Sequence, residues 1–144
     1  MTQLDESVGR ILDAVDKDNT LLVFVSDNGG TSLQRNNNFP FHGKNRQLLK
    51  GAFRTSLIFS CPDVLPAGNF FDDVVMNVDI YPTLLSVVKY PAFTGIAGQS
   101  LWNLMFYDRP LGPCLRSWER YHPNINTLSH SLLMPSGDWR LTVR

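Results

Sequence analysis

The segment that most limits what this chain can fold into is Leu21-Leu22-Val23-Phe24-Val25. It is an uninterrupted apolar run between the polar stretch Lys17-Asp18-Asn19-Thr20 and the turn formers Ser26-Asp27-Asn28-Gly29-Gly30. So short a run, apolar on both of its alternating faces and closed by turn residues, predicts a strand covered on both sides. Ahead of it Leu4, Val8, Ile11, Leu12 and Val15 fall on one helical stripe, with Asp5, Glu6, Arg10, Asp13 and Asp16 on the other faces. That spacing predicts an amphipathic helix packed on a neighbour. A helix feeding a buried strand is an α/β element.

The rest of the chain can pack around such an element. Its 144 residues amount to one domain, and 43% apolar and 18% charged residues, with nine Phe, four Tyr and three Trp, supply a core and exclude the composition of disorder. Thirteen Lys+Arg balance thirteen Asp+Glu, and neither sign forms a block, so the electrostatic footprint of a nucleic-acid partner is absent. No apolar run approaches the roughly 20 residues that span a bilayer. The opening Met1-Thr2-Gln3-Leu4-Asp5-Glu6 has neither a basic nor an apolar leader region, so the residues predict a soluble chain without a signal peptide and leave its compartment unknown. Cys61 and Cys114 are too few for a disulfide framework and lack metal-ligand spacing.

Residues 26–51 are dominated by Asn, Gly, Arg, Lys and Gln and read as a long loop, a length that is usually functional or disordered. Residues 55–60 predict a second strand, stopped by Pro62. Asp79 supplies a capping carboxylate and Pro82 an early proline for a short helix over residues 83–88. Beyond Tyr90, Pro91, Gly95, Gly98, Pro110, Gly112 and Pro113 break the chain into pieces, leaving residues 101–106 as a turn of helix and residues 139–143 as a final strand after a turn at 135–138. The organisation expected is one domain, with a helix-strand core and site loop over residues 1–90 and an irregular segment over residues 91–144.

Chemistry concentrates after the first strand. In open α/β sheets ligands bind beyond the carboxyl ends of strands, where Asp27 and Asn28 stand. A carboxylate beside a carboxamide offers hard oxygens suited to calcium or magnesium, and two glycines permit backbone angles that aim both side chains at one point. Two ligands fall short of the six to eight oxygens that calcium takes, and Asp-Asn-Gly-Gly alone is also an ordinary turn. Downstream, His42, Lys44, Arg46, Lys50 and Arg54 crowd one polar stretch, as an anion pocket for sulfate or phosphate requires and as a solvated basic loop also would.

Seven segments in order carry a resemblance. They are Leu4-Asp5-Glu6-Ser7-Val8-Gly9-Arg10-Ile11-Leu12, Val25-Ser26-Asp27-Asn28-Gly29-Gly30, Asn38-Phe39-Pro40-Phe41-His42-Gly43, Arg54-Thr55-Ser56-Leu57-Ile58-Phe59, Val78-Asp79-Ile80-Tyr81-Pro82-Thr83-Leu84-Leu85, Gly98-Gln99-Ser100-Leu101-Trp102 and Gly137-Asp138-Trp139-Arg140-Leu141. Together they resemble the type I sulfatases, most closely the arylsulfatase B-like branch, over nearly the whole chain. The resemblance implies part of an alkaline-phosphatase-like α/β domain: a mostly parallel sheet with flanking helices, truncated at the N-terminus. It implies sulfuric ester hydrolysis, in which the hydrate of a formylglycine made from a Cys-x-Pro-x-Arg cysteine attacks sulfur while a divalent cation, usually calcium, neutralises the sulfate oxygens. Asp27 and Asn28 fall on the family's second pair of metal ligands. The substrate implied is a sulfate ester or sulfated glycan, and the family is lysosomal or secreted.

Departures from the family pattern are specific. Cys61 is followed by Pro62-Asp63-Val64-Leu65 and Cys114 by Leu115-Arg116-Ser117-Trp118, so neither can be the formylglycine precursor. The family's Pro-Leu-Arg-Gly-x-Lys stretch falls on Pro40 to Asn45, which puts His42 at its arginine and Asn45 at its sulfate-binding lysine, with Lys44 one position early. Lys50 stands where the family has a glutamate. The substrate-binding residues implied are therefore His42, Lys44 and Asn45, with no catalytic nucleophile, and the chain is expected to be inactive alone. Two alternatives stand beside this reading: a degenerate, non-catalytic module that binds a cation or sulfated glycan, and a phosphomonoester or phosphonate hydrolase of the same superfamily.

Overall fold

The computed structural model describes residues 2–31, 37–91, 93–113, 116–122, 127–133 and 139–143; Cys114 and the turn expected at 135–138 lie outside them. The predicted first helix is α1 (Thr2–Ala14), and the apolar run becomes β1 (Leu22–Val25). Thirty-odd residues later the chain returns through the single turn of α2 (Lys50–Phe53) into β2 (Leu57–Ser60). The two strands pair antiparallel, with Leu22 opposite Ser60 and Val25 opposite Leu57. Past the strand ends, Ser26 N–H donates to Ser56 O at 3.1 Å and Thr55 Oγ1 to Ser26 O at 3.1 Å, closing the base of the long loop.

The two-sided cover expected for β1 is not formed by the described residues. Phe24 and Val25 are exposed, Ile58 is 54% exposed, and α1 buries no residue, with Ile11 at 61%. Leu22, Phe24, Ile58 and Ser60 share one sheet face by the two-residue period of the strands. That face and the Leu4, Val8 and Leu12 stripe of α1 bound an open groove of about 760 Å³. The apolar pattern is right for burial, but two strands and one helix do not supply the second layer that burial needs.

The tight packing lies in the second half. Helices α3 (Ile80–Val87) and α4 (Trp102–Tyr107) meet over buried Pro82, Thr83, Leu101, Leu104 and Met105. The Trp102 and Phe106 rings stack at 5.1 Å along α4, which Asp108 ends in the left-handed region at φ 49°. Asp79 was expected to cap α3 with its side chain. Instead its fully buried carboxylate reaches away from the helix: Oδ2 accepts from Met76 N–H at 2.8 Å, and Oδ1 accepts from Gln99 N–H at 2.8 Å. Buried Arg116 completes the set, with Nη1 3.2 Å from Oδ1 and Nη2 3.1 Å from Oδ2. Thr83 Oγ1 donates to Asp79 O at 2.6 Å and accepts from Leu101 N–H at 2.9 Å.

Arg116 opens β3 (Arg116–His122), which pairs antiparallel with β4 (Thr127–Leu133), itself paired antiparallel with β5 (Trp139–Val143). This meander corrects the expectation of an irregular segment over residues 91–144, in which only the last strand was foreseen. The dense Pro and Gly punctuation ends at Pro113, ahead of these strands. Every strand pair among the described residues is antiparallel, so the parallel portion expected of the sheet is not made by pairs among them. No helix among the described residues is long and apolar enough to cross a membrane.

Candidate functional site

Asp27 and Asn28 follow β1 directly, at the carboxyl end of the strand. Asp27 is exposed, and its Oδ1 accepts from Asn28 N–H at 2.8 Å. Half-buried Asn28 donates its side-chain N–H to Gly29 O at 3.0 Å, which leaves its amide oxygen as the group able to ligate a cation. The donor chemistry fits calcium or magnesium, since a carboxylate and an amide oxygen are both hard ligands. One charge and two residues fill part of a coordination shell, and the described residues contain no cluster of three or more His, Cys, Asp or Glu that could hold a metal.

The first glycine after this pair, Gly29, has a different reason from the one the sequence suggested. Gly29 does not adopt a positive φ; a Cβ on it would lie 1.8 Å from Gly51 O. A Cβ on Gly51 would in turn lie 2.4 Å from Gly43 O and 2.8 Å from His42 O, and one on Gly43, at φ 99°, would run into the Leu49 side chain. Three glycines thus bring three backbone segments into direct contact, a closeness any side chain would prevent. Hydrogen bonds run through the same place: Gly29 N–H to Ala52 O at 2.9 Å and Gly51 N–H to His42 O at 2.7 Å.

The basic loop is stitched to the same strand end. Asn38 Oδ1 accepts from Gly30 N–H at 2.9 Å while its Nδ2 donates to Gly30 O at 3.2 Å and to Gly43 O at 2.9 Å. Asn45 N–H donates to Gly30 O at 3.0 Å. This backbone bond ties Asn45 to the residue two places after Asn28. His42 and Lys44, alternate residues with exposed side chains, line an open cavity of about 330 Å³ with Thr31, Asn37, Asn38, Phe39, Pro40, Phe41 and Gly43. Asp27, Asn28 and Asn45 are outside that lining. Behind the loop the Arg54 guanidinium covers the Phe41 ring at 4.7 Å. Sequence reasoning missed Asn38, the residue that holds the loop to the strand; three successive asparagines signal a loop but not which one will bridge it.

The sulfatase family model matches residues 1–90, more than half of the chain. The chain belongs to the sulfatase family. Human arylsulfatase H is 37% identical over 94 residues, which cover 57% of this chain and 17% of the relative. Human arylsulfatase D is 30% identical over 117 residues, covering 72% and 20%, and human steryl-sulfatase 30% over 101 residues, covering 62% and 17%. This sulfatase chain thus spans a fifth or less of the length of these relatives. Among solved structures, Ps i-CgsB in complex with k-i-k-neocarrahexaose matches with a TM-score of 0.74 at 27% identity, over 96% of this chain and 34% of that one. BT4656 in complex with its substrate D-glucosamine-2-N,6-O-disulfate matches with a TM-score of 0.72 at 21% identity, over 96% and 31%. The fold is a partial alkaline-phosphatase-like α/β fold, and the structural match over 96% of the chain extends beyond the residues that the sulfatase model matches.

Proposed function

We propose that this chain supplies one end of a metal-dependent sulfuric ester hydrolase site. Asp27 and Asn28 would hold a calcium ion through two oxygens, with the remaining ligands from other segments or water. The ion, when bound, offsets the negative charge of the sulfate oxygens. His42 and Lys44 would donate to the sulfate from the loop, and Asn45 would present an amide where the family has a lysine. The observation that supports this reading most is the stitching of the 38–45 loop to Gly30, two residues after Asn28, through Asn38 and the Asn45 backbone.

The substrate class proposed is a sulfate ester, with sulfated glycans among the candidates because both solved neighbours hold saccharides. No cysteine here sits in a Cys-x-Pro-x-Arg motif, so these 144 residues are expected to bind sulfate without turning an ester over. The same absence, with Asn45 and Lys50 in place of a lysine and a glutamate, favours as a second reading a degenerate sulfatase that binds and does not cleave.

The test is a titration of the chain with sodium sulfate, with and without calcium, followed by amide NMR. Resonances of His42, Lys44 and Asn45 should shift together, Lys44→Ala should weaken sulfate several-fold, and Asn45→Lys should strengthen it. Calcium should bind more weakly than micromolar by calorimetry, and 4-nitrophenyl sulfate should not be hydrolysed above background. Sulfate shifts confined to other residues would overturn the assignment of the loop. Turnover abolished by Asp27→Ala would show that a nucleophile exists outside the motif.

A further inference from the structure

Asn28-Gly29 is the one place in the chain where a glycine follows an asparagine. Such a pair is chemically self-reactive. The backbone nitrogen of the following residue can attack the asparagine side-chain carbon and close a five-membered succinimide, and glycine hinders this least because it has no side chain and the widest backbone freedom. Every other asparagine is followed by a residue with a side chain, as at Asn69-Phe70 and Asn77-Val78.

The fold holds each part of the Asn28-Gly29 pair away from that reaction. The attack requires the peptide group between the two residues to rotate until Gly29 N meets Asn28 Cγ. Both ends of that group are pinned: Asn28 O accepts from Ser26 Oγ at 3.1 Å, and Gly29 N–H donates to Ala52 O at 2.9 Å. Asn28 Nδ2, the group that would leave, donates to Gly29 O at 3.0 Å. Gly29 is buried, with Gly51 O in the space a Cβ would take, so its backbone has no room to swing. Asn69 is the reverse case, exposed and followed by Phe70 at 96% exposure. The permissive follower and the free backbone thus occur at different asparagines.

We propose that Asn28 is a latent deamidation site, kept closed by the contacts of Gly29 with residues 51 and 52 and released when the loop opens locally. On opening, Gly29 N bonds to Asn28 Cγ, the Cγ–Nδ2 bond breaks, the Gly29 amide proton passes through solvent to the departing nitrogen, and ammonia leaves. Water then adds to either carbonyl of the ring and gives aspartate or isoaspartate at position 28; nothing is oxidised or reduced. Isoaspartate lengthens the backbone by one methylene, so the Gly29 bond to Ala52 and its contact with Gly51 cannot both re-form, and the opening becomes permanent. Aspartate instead sets a second carboxylate beside Asp27. The chemistry goes beyond the sulfatase reading and does not depend on a cation or sulfate at the site.

The experiment incubates the chain in mildly alkaline buffer, folded and in urea, and follows Asn28 and Asn69 by peptide mapping with mass spectrometry, chromatography separating isoaspartate from aspartate. In urea Asn28 should react well ahead of Asn69. In the folded chain its rate should fall at least about tenfold, because the reaction waits on local opening. The protection of the Gly29 amide against deuterium exchange should fall in the same range, since both sample the open loop. Ser26→Ala frees one end of the peptide group and should raise the Asn28 rate and Gly29 exchange together by about threefold, with Asn69 unchanged and the fold checked by circular dichroism. If that variant does not fold, the native chain decides through its folded, urea and exchange measurements. Equal Asn28 rates folded and in urea would overturn the proposal, as would an Asn28 no faster than Asn69 in urea. A slow Asn28 beside a freely exchanging Gly29 amide would overturn it too, because the guard would then lie elsewhere.

Discussion

The α1–β1–β2 layer and the knot around Asp79 are built from opposite materials and end in opposite states. The first has the stronger apolar pattern in the chain, yet α1 buries nothing and its stripe borders an open groove. The second centres on a carboxylate, a guanidinium and a hydroxyl, yet Asp79 and Thr83 are fully buried and Arg116 nearly so. The difference teaches that apolar patterning states a demand for a partner layer, whereas a polar knot closes only when all its partners are present. Here they are: Asp79 accepts two backbone N–H donors and both Arg116 nitrogens, and no buried side-chain polar atom among the described residues lacks a partner.

The largest expected effect breaks the knot. Asp79→Ala leaves the Arg116 charge buried without its counter-charge, and removing one member of such a pair costs about 3–5 kcal/mol. Thermal unfolding should show a midpoint lowered by on the order of 10 °C. The double substitution Asp79→Leu with Arg116→Met should be less destabilising than either single change, because no unpaired charge remains. Strictly additive losses would mean that the two side chains act independently.

A smaller effect should come from the glycine stack under the site. Gly29→Ala forces its methyl into the Gly51 carbonyl, backbone against backbone, so no side chain can yield. A loss of about 1–3 kcal/mol is expected, with the amides of Gly29 and Gly51 exchanging faster with deuterium. Unchanged stability and exchange would place the two segments farther apart than described.

The smallest effect has the opposite sign. Gly9 lies within α1, and a Cβ there meets nothing within 4 Å. Gly9→Ala should therefore stabilise the helix by up to about 1 kcal/mol through propensity alone, read as increased helicity by circular dichroism. Destabilisation would show that something packs against Gly9, and the contrast between an open α1 layer and a closed knot would weaken.

Much of the site was legible in the residues because it is local. Asp27 and Asn28 directly follow an apolar run whose length and bounding turns mark it as a strand. The reason for Gly29 was not legible: it answers to Gly51, twenty-two positions away, through a backbone contact that leaves no pattern in composition. Asn38 was hidden among three asparagines for the same reason.

The sequence by itself determined the family, the first helix, both strands of the N-terminal pair, the α3 and α4 helices to within a few residues, and the position of Asp27 and Asn28 at the end of β1. Periodicity and short motifs depend on neighbours along the chain, where local sterics and hydrogen bonding act. Only the tertiary structure decided that β1 and β2 pair antiparallel around the site loop, and that the described residues leave the apolar faces of α1 and β1 uncovered. It alone showed that Asp79 reaches Arg116 instead of capping its helix, and that the segment from Arg116 onward holds a three-stranded meander. The β1–β2 pairing and the Asp79–Arg116 contact join residues more than 30 positions apart, and the meander needs whole strands to find one another across its turns. Their energy comes from burial and charge pairing across space, which the order of residues does not record.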